Sequence, residues 1–238
     1  MTNTSAQTVK SASAATNTPA GKSTLADPRV EGALERMFQG AERDGDFLDR
    51  YRAENPGDFY DLTPREAAEA ASGIYMPISE AGGRLLYSLV RAARPDTVVE
   101  FGMSFGISAL YLGAAVRDNG TGRVVTTEMS GDKIASARRT FAETGLDDVI
   151  TILEGDACET LADLEGTVDF LLLDGWKDLC LPVLRLLEPR LRPGALVVAD
   201  DVDMDDLGPY LDYVRDPANG YQSTTFPVED GMEISCRL

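Results

Sequence analysis

The chain of 238 residues contains no histidine. Without an imidazole there is no Ser-His-Asp triad, no Cys-His pair, no His-ligated zinc and no histidine proton shuttle. Any catalysis therefore falls to carboxylates, lysine, tyrosine, cysteine, a metal ion or a cofactor. Positive charge is scarce too, since 22 Lys and Arg face 40 Asp and Glu for a formal net charge of −18. That balance argues against nucleic-acid and anionic-membrane partners, both of which recruit basic faces. Cysteine is sparse: Cys158, Cys180 and Cys236 are odd in number and widely separated. Such spacing speaks against a disulfide framework and for a reducing compartment. No apolar run reaches the roughly 20 residues of a membrane span, and the first 27 residues lack the apolar stretch of a signal peptide. Together these absences predict a cytoplasmic protein that engages neither nucleic acid nor membrane.

What is present falls into a tail and a domain. Residues 1–26 are rich in Ser, Thr, Ala and Asn and hold no acidic residue, so they cannot bury enough apolar surface to offset the entropy of ordering. They are expected to form a disordered tail. Residues 27–238 read as a single domain, with residues 27–78 as an N-terminal helical cap. Asp27-Pro28 gives an N-cap followed by proline at the first helical position, and Thr63-Pro64-Arg65-Glu66 has the form of a capping box. A longer helix opens at Ser79-Glu80 and ends near Arg94-Pro95.

From there strand and helix alternate. Strands are predicted at Thr97–Phe101, Arg123–Thr127, Val149–Leu153, Val168–Leu173 and Ala195–Ala199, with helices between them. Repeated βα units imply a parallel sheet covered on both faces. Tyr221–Phe226 and Met232–Arg237 flank Pro227–Gly231 as a closing hairpin. The expected fold is a doubly wound, Rossmann-like α/β domain with a seven-stranded sheet and extra N-terminal helices.

Chemistry-bearing residues gather at the predicted strand ends, where open α/β sheets bind ligands. The first turn, Glu100-Phe101-Gly102-Met103-Ser104-Phe105-Gly106-Ile107-Ser108, spaces its glycines as G-x-x-x-G. This is neither the dinucleotide fingerprint nor a P-loop, so no pyrophosphate cradle is indicated. Glu128 follows the second strand as either a ribose-diol acceptor or a helix cap, and Gly155-Asp156-Ala157 follows the third as an adenine-edge candidate. The combination fits an adenosine moiety. Asp174 ends the fourth strand and Asp200-Asp201 the fifth; adjacent strands lie about 4.8 Å apart, so these carboxylates can converge. Clustered carboxylates call for a cation, and oxygen-only ligation favours Mg²⁺ over Ca²⁺ or Mn²⁺. The alternative is an acidic loop facing water. Asp201-x-Asp203-x-Asp205 does not make a calcium loop, because Asp206 stands where glycine is needed and Asp212 where glutamate is. Lys177, three residues past Asp174, is either a solvated lysine or a general base whose pKa burial lowers. Trp176, the single tryptophan, is a core or adenine-edge residue.

From about Met76 to Leu238 the chain resembles the cation-dependent O-methyltransferases, S-adenosylmethionine (SAM) enzymes of the catechol and caffeoyl-CoA types. The matching residues are Met76-Pro77-Ile78-Ser79-Glu80, Glu100-Phe101-Gly102 through Ser108, and Glu128-Met129. The match continues in Asp174-Gly175-Trp176-Lys177-Asp178, Leu181-Pro182, Pro193-Gly194, Ala199-Asp200-Asp201-Val202 and Asp230-Gly231-Met232-Glu233. The resemblance implies SAM held by Glu100, Gly102, Ser104, Gly106, Ser108, Glu128, Met129 and Asp174. Asp156, Ala157 and Trp176 would lie near the adenine, and Met76 and Ile78 at the cofactor's entrance. It further implies Mg²⁺ or another divalent cation on Asp174, Asp200 and Asp201, Lys177 as the base, and a small vicinal dihydroxy aromatic as methyl acceptor. Asp201 stands where the family usually has Asn. A homodimer is compatible with the resemblance, with the N-terminal helices as its candidate interface. Two other readings stay open: a metal-independent SAM methyltransferase on another small acceptor, and a non-catalytic adenosyl-ligand binding protein.

Overall fold

Five short runs of β-branched and apolar residues form the parallel body of one sheet. The computed structural model describes residues 23–55 and 62–238. The strands β1 (Thr97–Phe101), β2 (Arg123–Glu128), β3 (Ile150–Glu154), β4 (Val168–Leu173) and β5 (Leu191–Ala199) pair in parallel. β6 (Tyr221–Phe226) and β7 (Met232–Arg237) form an antiparallel hairpin, and β7 pairs antiparallel with β5. The resulting order is β3-β2-β1-β4-β5-β7-β6. This is the expected Rossmann-like α/β architecture with seven strands. β5 begins at Leu191, ahead of the apolar run, because Leu191 already pairs with Val168 before the register shifts.

The helices are α1 (Pro28–Ala41), α2 (Asp44–Glu54), α3 (Pro64–Ala70), α4 (Glu80–Ala93), α5 (Ile107–Asn119), α6 (Gly131–Thr144), α7 (Ala157–Thr160), α8 (Cys180–Leu187) and α9 (Gly208–Arg215). Their starts follow the sequence signals. The Asp27 carboxylate accepts from Arg29 N at 2.9 Å, with Pro28 in the first turn of α1. Thr63 and Glu66 close a reciprocal capping box on α3, and Ser79 Oγ accepts from Gly82 N at 3.0 Å at the start of α4.

The alternation of side chains along a strand divides the core in two. Val98, Phe170, Leu172 and Val198 face the layer of α1, α4, α5 and α6. Val99, Leu171, Leu173 and Val197 face α8 and α9. β4 is buried at all its positions, which holds the residue that follows it, Asp174, at a fixed place on the sheet's carboxyl edge. The three cysteines are free, and among the described residues no helix is long and apolar enough to cross a membrane.

The expected tail is corrected at its end, while residues 1–22 lie outside the described residues. Thr24–Ala26 forms a turn of 3₁₀ helix docked on Asp118 at the end of α5. The Asp118 carboxylate accepts from Thr24 N at 3.0 Å, Thr24 Oγ1 at 2.5 Å and Tyr87 Oη at 2.6 Å. A half-buried carboxylate requires donors, and this polar segment supplies them. Burial raises the Asp118 pKa, but these bonds outweigh it and leave it below the ordinary value. A depressed carboxylate pKa contributes stability that is present above the unfolded pKa and lost as the pH falls through the folded one. Asp118→Ala is expected to lower the unfolding free energy by about 1–3 kcal/mol at pH 7. Urea titrations should show the gap from wild type narrowing below about pH 4.

Candidate active site

The carboxyl edge of the parallel strands opens into a cleft. It is walled by the turn after β1, the ends of β2 and β4, the Tyr75–Ile78 segment before α4, Ala68 and Ala71 at α3, and Met204 beyond β5. Gly102 is glycine for a steric reason. Its φ is +96°, and a Cβ there would lie 2.5 Å from the carbonyl oxygen of Asp174 and the nitrogen of Gly175. The turn therefore passes directly against the end of β4. Gly106, also at φ +96°, opens α5, and a Cβ there would meet the Phe141 ring at 2.8 Å. It shapes the turn by packing against α6.

Glu128 acts as an anchor for backbone donors. Its Oε2 accepts from Ser104 N at 2.8 Å, and its Oε1 from Met129 N and Ser130 N at 2.8 Å each. These bonds fix the carboxylate on the cleft wall and leave about one of its four acceptor sites for a ligand hydroxyl. Ser104 Oγ donates to the carbonyl of Tyr75 at 2.6 Å, tying the turn to the entrance segment.

The predicted residues Met76, Ile78, Gly102, Ser104, Ser108, Glu128, Met129, Ala157, Asp174, Trp176, Lys177 and Asp201 share this cleft. Four predicted residues stand apart from its wall. Gly106 has the packing role just described. Asp156 caps α7, accepting from Cys158 N at 2.8 Å. Asp200 lies behind the wall, 4% exposed. Glu100 is fully buried beneath the turn, where Thr126 Oγ1 donates to its Oε2 and its Oε1 has no hydrogen-bond partner. Burial pushes the Glu100 pKa to about 7 against the opposing pull of the Ser108 and Thr126 hydroxyls.

Asp174, Asp200 and Asp201 converge as their strand ends require. One oxygen from each lies within 4.8 Å of the others. Asp201 adopts φ 58°, the left-handed conformation that Asp and Asn tolerate best after glycine. Lys177 closes the cluster: its Nζ is 3.1 Å from Asp174 Oδ1 and 2.8 Å from Asp201 Oδ2. Burial and the Asp201 charge raise the Asp174 pKa to about 6 despite the attraction of Lys177. Burial and the charges of Asp174 and Asp201 raise that of Asp200 to about 8. The expectation of a lowered Lys177 pKa is corrected. Burial does act downward, but the two carboxylates outweigh it and hold the ammonium protonated. Three carboxylate oxygens at this spacing are a donor set suited to a hard divalent cation.

Several wall residues escaped the sequence reading. Tyr75 and Phe105 stack with ring centres 4.3 Å apart beside the cleft, and nothing in their spacing signals it. Lys133, on α6, is only 2% exposed. Its position was legible in principle, since residues 133, 137 and 141 share one face and Ala137 and Phe141 are core.

A methyltransferase-domain profile matches residues 99–202. Catechol O-methyltransferase B of Danio rerio is 30% identical over 177 residues, 68% of this chain and 66% of its own length. Catechol O-methyltransferase of Mus musculus is 30% identical over 172 residues, covering 66% and 64%. The chain thus spans about two thirds of the length of these curated relatives. The Bacillus cereus O-methyltransferase solved with S-adenosylhomocysteine (SAH) superposes with a TM-score of 0.61 at 20% identity, covering 85% of this chain and all of that one. The Streptomyces achromogenes O-methyltransferase TomG, solved with SAM, gives 0.62 at 21% identity, covering 74% and 90%. At these identities the solved structures speak for the fold. Fold and site define a class I methyltransferase scaffold. Residues 99–202 match a methyltransferase domain, and over about two thirds of its length the chain is similar to O-methyltransferases.

A raised pKa on Glu100 means that the folded chain keeps a proton the unfolded chain releases, so its stability falls as the pH rises from about 4.5 to about 7. Glu100→Gln removes that dependence. The variant is expected to gain up to about 3 kcal/mol relative to wild type between pH 4.5 and pH 8, read from denaturant midpoints across the range.

Proposed function

We propose that the chain transfers the methyl group of SAM to one hydroxyl of a small vicinal dihydroxy aromatic, with a divalent cation on Asp174, Asp200 and Asp201. The observation that carries this reading is the carboxylate cluster: Asp174, Asp201 and Lys177 line the cleft that Glu128 and the β1 turn also line, with Asp200 behind them. When bound, the cation supplies a Lewis acid that favours ionisation of a neighbouring hydroxyl, and SAM supplies an electrophilic methyl.

The chain's own residues do the rest. Glu128, immobilised by three backbone donors, is placed to accept from a ribose diol. Met76, Trp176 and Met204 offer apolar and polarisable faces to a flat ring. Burial favours the neutral amine of Lys177, but its two carboxylate neighbours outweigh it and keep the ammonium. Neutralising those carboxylates tips Lys177 toward the amine, the form that accepts a hydroxyl proton. Holding the oxygen in line with the methyl contributes most, since positioning is worth roughly 7–11 kcal/mol in well-aligned reactions.

One observation favours a second reading. Lys177 bridges Asp174 and Asp201 and so supplies counter-charge from the chain itself, as a metal-independent methyltransferase would require. The two diverge in chelator. With SAM and a catechol acceptor, product formation should require a divalent cation and stop in EDTA. Asp174→Ala and Lys177→Met should each lower kcat by about 10²-fold or more. Turnover that persists in EDTA selects the metal-independent reading, and SAM binding without product from any acceptor selects a non-catalytic one.

A further inference from the structure

Lys133 is the one cation of the cleft without a counterion among the described residues. The wall contains two lysines. Lys177 is spent on Asp174 and Asp201. Lys133, 2% exposed, has a single hydrogen-bond partner, Ser104 Oγ at 3.1 Å, and its Nζ lies 5.6 Å from the centre of the Phe105 ring. An ammonium carries three donors, so two are unmet.

Two acidic groups, Glu128 and Asp44, act on Lys133 electrostatically, yet neither forms an ion pair with it. Both are committed to backbone amides. Glu128 takes Ser104 N, Met129 N and Ser130 N, and Asp44 Oδ2 takes Tyr75 N at 2.9 Å and Met76 N at 2.8 Å. A buried ammonium without a close anion is strongly disfavoured, and folded chains normally pair such groups. Here the missing acceptor faces an open cleft, so it belongs to a ligand.

We propose that Lys133 is a cofactor-binding residue whose ammonium pairs with the carboxylate of the methionyl group of SAM. This rests on the reading above that the cleft holds an adenosyl cofactor. The carboxylate is the only anionic group of SAM or SAH, and a neutral ribose hydroxyl cannot balance the charge. The carboxylate also needs such a partner, because Glu128, Asp174 and Asp201 make the rest of the wall repel it.

The test is calorimetric titration of the full chain with two probes. SAH keeps the carboxylate, whereas 5′-methylthioadenosine keeps adenine, ribose and thioether but lacks the amino-acid portion. Lys133→Met should weaken SAH binding by about tenfold or more, the worth of a charge-assisted contact. It should leave methylthioadenosine binding within about twofold of wild type, as for any probe without the contact. Lys133→Gln, which also lacks the charge, should behave the same way if the methionine variant does not fold. Unchanged SAH affinity overturns the proposal. An equal loss for both probes also overturns it, since Lys133 then only shapes the pocket. Wild-type chain that binds neither probe overturns the cofactor reading as well, and that titration tells the two failures apart.

Discussion

Parallel strands that end side by side bring their last residues together, and here those residues are acids. Asp174, Asp200 and Asp201 would repel one another in a half-buried site were it not for Lys177, which lies within 3.1 Å of two of them. Much of the surrounding structure serves that compensation. Burial along the whole of β4 fixes where Asp174 emerges, and Gly102 lets the turn after β1 press against it. Burial first, and then the neighbouring carboxylates, raise the pKa values of Asp174 and Asp200 despite Lys177, and one ammonium faces three carboxylates. The remaining negative charge is the physical reason to expect a further cation.

The N-terminal helices connect to this centre through one short segment. Residues 75–79 are held by Asp44 of α2 on one side, by Ser104 on another, and by Glu229, which accepts from Ser79 N at 2.9 Å. Met76 sits within this clamp at φ 42° and is nearly half exposed at the cleft's mouth. Residues drawn from the cap, the β1 turn and the β6–β7 hairpin thus set the width of the opening together.

Most of the fold was legible because its signals are local. β-Branched runs, Asp27-Pro28, the Thr63–Glu66 box and the Gly102 turn each act within a few residues. What was not legible depends on partners distant in sequence. The insertion of β7 between β5 and β6 is a pairing choice, and the order of residues 23–26 comes from Asp118, some 95 positions away. The carboxylate cluster was readable from strand ends alone, but the direction of the Lys177 pKa was not, since it depends on a contest between burial and two charges. The capping role of Asp156 on α7 was not read from the sequence. The burial of Lys133 follows from the helix face it shares with Ala137 and Phe141, but its lack of an ion-pair partner depends on neighbours distant in sequence.

The central claim is that Asp174, Asp200 and Asp201 form a cation site in spite of Lys177. Mn²⁺ titration of the chain without cofactor or acceptor, followed by electron paramagnetic resonance, tests it directly. The account predicts a single saturable ion per chain that is lost in Asp174→Ala. Spectra showing only free Mn²⁺ throughout the titration would contradict it.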